Sequence, residues 1–385
     1  MTARGYRTRT VITTVLALGS AGCTERVVGP GVEREEHLLF LSTRDGAHDQ
    51  LDRPMREIYR MSSDGSDVVN LTRHPAYSYS HLSASPDGRR IAFASDRSGC
   101  DIWVMNMDDG SLEQLTGRGP SEGCNAWPRW SPDGSRIAFA SNREGRWIDN
   151  TTGLYDVYVM NADGSMPRNV SQSLGEALGF NVHVVGWSPT GQVVFETNDV
   201  TEGTFERRVY VVNADGTDIR PLFGVMGDHS PAWSPDGALI TFISERDGSR
   251  RLYVMNADGT GARALTDHSG NDRLPSGCCG FSNTSFDISP WSPDGKRIAF
   301  ERFATAADWG TIYVVDLDGA SPLQLTDFSA TFDGWSPSGG RIALTRRMPP
   351  AAFDIFVINA DGSGLRNLTG SSAEDTDAFW VKYRY

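Results

Sequence analysis

Seven times this chain runs a short apolar strand into a tight turn of the form N-A-D-G or a near variant. The phrase ends at Gly65, Gly110, Gly164, Gly216, Gly259, Gly319 and Gly362, as in V-Y-V-M-N-A-D-G before Gly164 and I-F-V-I-N-A-D-G before Gly362. Successive intervals of 45, 54, 52, 43, 60 and 43 residues match one four-stranded propeller blade per repeat. A unit of that size cannot bury its apolar faces alone, so the repeats must stack, and 385 residues then make one domain rather than two or three.

A second phrase precedes six of the seven. It reads A-S-P-D-G from Ala84, W-S-P-D-G from Trp130, W-S-P-T-G from Trp187, W-S-P-D-G from Trp233 and from Trp291, and W-S-P-S-G from Trp335. Each leads into a β-rich run such as R-I-A-F-A-S at 136–141. The order within a unit is strand A, S-P-D-G turn, strand B, loop, strand C, N-A-D-G turn, strand D, a four-stranded antiparallel meander. In both turns proline or alanine opens the bend, aspartate suits its centre and glycine accepts the left-handed conformation. The aspartates therefore belong to turns, and no stretch carries the D-x-[DN]-x-[DN]-G spacing of a calcium loop.

The chain ends predict closure. Residues 37–42 read as a strand B with no strand A before it, and 377–380 (D-A-F-W) as a strand A with no S-P-D-G after it. Joined, they make the seventh blade and remove the sheet edges a linear array would expose. Seven blades are favoured over six. Trp130, Trp187, Trp233, Trp291 and Trp335 end strand A and are expected to wedge between neighbouring blades as core, each burying about 200 Å².

The repeated W-S-P-D-G-K-R-I-A-F and Y-V-M-N-A-D-G phrases resemble those of the TolB-type, WD-like β-propellers of bacterial envelopes over roughly residues 37–385. The resemblance implies an all-β propeller and is a poor guide to activity, because such propellers serve as binding scaffolds, as enzyme domains and as parts of peptidases. TolB adds an N-terminal α/β domain to a six-bladed propeller, a pattern the present repeats do not follow.

The N-terminus carries Arg4, Arg7 and Arg9, an apolar core at 11–18 and then S-A-G-C at 20–23. It reads as an export signal over residues 1–22. It resembles a bacterial lipoprotein signal with Cys23 as the lipidated residue, ordinary cleavage being the alternative, and Ser20 departs from the aliphatic residue usual there. Residues 23–36 then form a tether and 37–385 the propeller. In an oxidising compartment Cys100 and Cys124 are expected to pair, since each lies in a loop on the same face of adjoining blades; the adjacent Cys278 and Cys279 stay undecided. A net charge of -13 argues against a nucleic-acid partner. Lipid is the expected membrane contact of a monomer located in the periplasm or at the outer membrane.

In such a meander the short stereotyped turns share one face and the irregular loops the other, where functional residues collect. Trp147, Phe180, Phe205, Phe281, Phe286 and Trp309 fall in those loops and form the candidate binding face for an envelope protein or glycan, with Tyr77, Tyr79 and Phe328 nearby. His183 and His229 stand four residues before a strand A tryptophan, Asp287 has the same offset, and His81 is one residue out of phase. These four are the candidate ligands of one divalent metal at the channel mouth, loosely resembling the metal centre of the oligogalacturonate lyase propellers; Arg73 and Arg129 are the cations available to an anionic sugar. No H-E-x-x-H occurs, and the single G-x-S-x-G match, at 119–123, falls in the connection between two β repeats rather than in the strand-to-helix turn of a nucleophile elbow, which argues against zincin and serine-hydrolase chemistry. The expected function is a noncatalytic, cofactor-free, exported binding scaffold of the cell envelope. The alternative is a metal-dependent lyase acting on acidic glycans.

Overall fold

The structure, a computed structural model, describes residues 35–46, 48, 55–73, 79–95, 99–117, 123–145, 154–174, 181–199, 206–225, 227–267, 271–274, 288–303, 310–319, 321–349 and 352–383. These residues form seven four-stranded antiparallel sheets, arranged as blades of an all-β propeller. The strand A segments are Asp375–Tyr383 in blade 1, then Tyr79–Ala84, Asn125–Trp130, Asn181–Trp187, His229–Trp233, Asn271–Arg273 and Thr331–Trp335 in blades 2 to 7. Among the described residues the only helix is a 3₁₀ turn at Gln172–Leu174, and none is long and apolar enough to cross a membrane.

Why these segments are strands follows from how blades stack. In Arg136–Ser141 five consecutive residues from Ile137 onward are buried, because blades cover the B strand on both faces and a strand buried on both sides reads as a continuous apolar run. Strand D is short, two or three residues in every blade, and marks the solvent rim. The turn aspartates are consumed locally. Asp133 accepts hydrogen bonds from Ser131 Oγ at 2.6 Å and from the Ser135 N–H at 3.0 Å, which draw its carboxyl down to about 2. Asp236 and Asp294 repeat the arrangement with Ser234 and Ser292.

Glycine is required where a turn touches the preceding blade. At Gly164, φ is +81° and an added Cβ would stand 2.9 Å from the carbonyl oxygen of Leu115; Gly65 meets Leu368 in the same way. The tryptophans act between blades as expected. Trp187, Trp291 and Trp335 donate Nε1 to the carbonyls of Arg129, Ala232 and Pro290 in the preceding blade, at 2.9, 3.0 and 2.9 Å. Arg297 of blade 6 lies over Trp335 of blade 7 at 4.9 Å.

The ring closes through both chain ends, with Leu38 opposite Trp380 and His37 opposite Val381. The N-terminal strand starts at Glu35 rather than His37. The last two residues assigned to the tether are thus ladder residues, and Glu36 is held by Arg341 at 2.8 Å. A buried clamp secures the junction: Arg44 Nη2 donates to both oxygens of Asp375 at 3.0 Å, and its guanidinium covers Phe40 and Tyr59 at 5.1 and 4.9 Å. The clamp recurs as Arg246 with Asp228 and Arg302 with Asp272. In blade 3 Asn125 replaces the acid and accepts from Arg143 at 3.0 Å.

Candidate functional site

Strand A of every blade faces the central channel, so its register decides which side chains share a height. Trp187 pairs with Val193, Trp233 with Ile240 and Trp335 with Ile342. Three residues further along each B strand, His183 pairs with Glu196, His229 with Ile243 and Thr331 with Thr345. His183 and His229 therefore occupy one level in adjacent blades. In blade 6 Arg273 stands at that level, opposite Glu301. Counting back from the tryptophan fails here because the extra residues lie inside strand A: Asn271–Arg273 pairs with 301–303, and Trp291 bridges Ile298 from the far side of the excursion. Part of strand A thus lies as far back as Asn271–Arg273. Asp287 itself lies outside the described residues.

Strand A is bulged in the other six blades, with a register shift at Ser80/Ser83, Ala126/Arg129, Val184/Gly186, His229/Ala232 and Phe332/Gly334, and opposite Leu39/Leu41 in blade 1. His81, Trp127, Ser230 and Asp377 take φ near +55° there, the left-handed conformation of a bulged residue. His81 is therefore a bulge residue, one position from the level of His183. Its ring meets Trp127 at 5.1 Å, and Trp127 meets Tyr155 edge-on at 5.4 Å. His229 is buried and shares a 2.9 Å hydrogen bond between Nδ1 and Ser230 Oγ. Among the described residues no group of three or more His, Cys, Asp or Glu could hold a metal ion.

Acids at the bulge join one blade to the next. Glu196 accepts the Ser230 N–H at 2.6 Å and Glu301 the Phe332 N–H at 3.0 Å. Asp333 accepts Thr345 Oγ at 2.6 Å and the N–H of Ala378 in blade 1. Burial raises the carboxyl of Glu301, against the pull of Arg273 3.8 Å away. It raises Asp333 well above the carboxylate range, with the charges of Asp377 and Glu301 adding to the effect. An acid surrounded in this way holds its proton at higher pH than a solvated one.

Below this level, toward the S-P-D-G turns, lies a cavity of about 290 Å³. Its wall includes Trp291, Trp335, Trp380, Phe379, Leu82 and Asp333. It lies on the turn side, whereas the sequence pointed to the loop side. The six loop aromatics Trp147, Phe180, Phe205, Phe281, Phe286 and Trp309 lie outside the described residues, as do Tyr77, Cys23, Cys278 and Cys279. Phe328 is half-buried, with the Arg346 guanidinium 3.9 Å above its ring. Of the two cations available to an anionic sugar, Arg129 is buried and donates to the Pro128 carbonyl, and Arg73 donates to Asn70 at the exposed end of blade 1. Cys100 and Cys124 are joined by a disulfide, beside the 2.8 Å bond from the Asn125 N–H to the Cys100 carbonyl.

Sequence reasoning missed Arg273, Glu301 and Asp333. None sits in a motif, and only the register reveals that they share the bulge region. The cavity did leave a trace, since Ala84 stands where the other S-P turns follow tryptophan.

No protein-family model matches the chain. It is 30% identical over 204 residues to an uncharacterized protein of Agrobacterium fabrum, covering 48% of this chain and 61% of that one. It is 32% identical over 164 residues to a TolB homolog of Chlorobium luteolum, covering 42% and 33%, and 35% identical over 102 residues to the Tol-Pal system protein TolB of Anaeromyxobacter dehalogenans, covering 26% and 23%. The chain thus covers less than two thirds of the length of each of these relatives. Among solved structures it is similar to an oligogalacturonate lyase in complex with manganese, with a TM-score of 0.56 and 14% identity over 86% of this chain and 85% of that one. It is also similar to a puromycin hydrolase, with a TM-score of 0.62 and 17% identity over 84% and 50%. At such identities the two structural likenesses speak for the fold alone.

Proposed function

We propose that this chain, a TolB-like seven-bladed propeller, is a noncatalytic binding scaffold of the bacterial cell envelope, exported through residues 1–22 and held at the membrane by lipid on Cys23. What carries the reading is the likeness of its repeats to two TolB proteins at 32 and 35% identity. By that likeness the partner is an envelope protein, engaged by the irregular loop face. The described charges fit a scaffold: the turn aspartates cap their own turns and the clamp arginines are spent on Asp375, Asp228 and Asp272. A scaffold of this kind recognises its partner by shape and by aromatic contacts.

Two measurements test it. Photo-crosslinking from positions 147 and 281 in living cells should trap an envelope protein, and Cys23→Ser should release the chain from the membrane fraction. Metal analysis with an oligogalacturonate cleavage assay addresses the lyase reading. About one transition metal per chain, lost together with cleavage in a His183→Ala/His229→Ala variant, would overturn the scaffold.

A further inference from the structure

At the end of strand A the blades repeat an indole. Trp130 pairs with Ile137, Trp187 with Val193, Trp233 with Ile240, Trp335 with Ile342 and Trp380 with Leu38, and Trp291 bridges Ile298. Blade 2 breaks the series: Ala84 pairs with Ile91 at the same register. The 290 Å³ cavity lies at this break, bounded in ring order by Trp291, Trp335, Trp380 and Ala84, with Phe379, Leu82 and Ile288 completing its apolar wall. Protein interiors are close-packed, and a volume at the lower end of small-molecule pockets opens where the repeat omits its largest side chain.

The wall is not uniformly apolar. Asp333, 3% exposed, is part of it, and Asp377 and Glu301 stand close enough to act on its charge. Arg273 is the cation facing Glu301. An entering positive charge would favour ionisation of Asp333, which burial and the neighbouring acids otherwise oppose, and aromatic walls favour cations. We infer that this cavity binds a small aromatic cation, an arylalkylamine of indole size, with its ring beside Ala84 in the place of the absent tryptophan and its ammonium directed to Asp333. The site is on the turn side of the channel and independent of the partner proposed for the loop face.

Equilibrium dialysis with tryptamine, indole and indole-3-acetate tests the assignment on the purified chain. Tryptamine should bind one per chain and about tenfold to a hundredfold more tightly than indole, the range of a hydrogen bond to a charged group; indole-3-acetate should bind least. Ala84→Trp should abolish binding while leaving the fold intact, since every other blade carries tryptophan there. Should that variant misfold, Ala84→Leu, which fills less, must still weaken binding. Asp333→Asn should erase the preference for tryptamine over indole. Equal binding of tryptamine and indole, retention of binding in Ala84→Trp, or no binding at millimolar tryptamine would each overturn the assignment.

Discussion

The closure of the ring is testable through one side chain. Arg44 comes from the first strand region and Asp375 from the last, 331 residues apart, and the Asp375 side chain is wholly buried while that of Arg44 is 24% exposed. Replacing Arg44 by alanine leaves the carboxylate buried with Ser371 Oγ at 2.7 Å as its remaining donor. Losing one partner of a buried pair costs about 3–5 kcal/mol; the partial exposure of Arg44 and the surviving Ser371 bond lower this to about 2–3 kcal/mol. Loss of the guanidinium from above Phe40 and Tyr59 adds about 0.5–1 kcal/mol. We expect Arg44→Ala to lower unfolding free energy by about 3 kcal/mol in urea titrations at unchanged m. Adding Asp375→Asn should restore at least about 1 kcal/mol, because the uncompensated charge disappears. Arg56→Ala, which breaks the half-exposed 3.5 Å pair with Glu374 between the same chain ends, should cost at most about 1 kcal/mol. If Arg44→Ala and Arg56→Ala are equally mild, or if the second substitution deepens the loss from the first, the clamp does not hold the ring.

Deleting residues 375–385 should abolish cooperative unfolding, since it uncovers the ladder of 35–42 and removes buried Ala378 and Val381; a truncated chain that melts like the full one would disprove the closure. Asp333 has a folded pKa above its unfolded value, so its contribution to stability is full below about pH 4 and lost as pH rises through the folded value. The stability gap between wild type and Asp333→Asn should therefore narrow from pH 4 to 8, and a gap that widens would show the carboxyl to be ionised in the fold. Asp133, drawn down to about 2, has the opposite sign: its contribution is present above about pH 4 and lost toward pH 2. Asp133→Asn should accordingly flatten the acid limb of the pH–stability curve. Replacing Cys100 and Cys124 by serine opens a crosslink between residues 24 apart. It should lower stability by about 3 kcal/mol on the loop-closure account, and an unchanged denaturation midpoint would contradict that.

Two repeated turns, a 43–60 residue interval and the complementary halves at residues 37–42 and 377–380 were enough to specify blade number, strand order and closure. Such information is local: a Pro-Asp-Gly bend or a run buried on both faces needs only its neighbours in sequence to be recognised. The heights of side chains in the channel are another matter. His183 and His229 share a level because the same one-residue bulge lies between each of them and its tryptophan. In blade 6 an excursion within strand A gives the level to Arg273, eighteen residues before Trp291. His81 departs by a single bulge residue, which no composition announces. The Asp333–Ala378 link and the cavity beside Ala84 join different blades, and the Arg44–Asp375 clamp joins the two ends of the chain within blade 1. Contacts between blades are set by how the sheets stack and where each strand bulges, and so only the closed ring decides which acids, arginines and indoles meet.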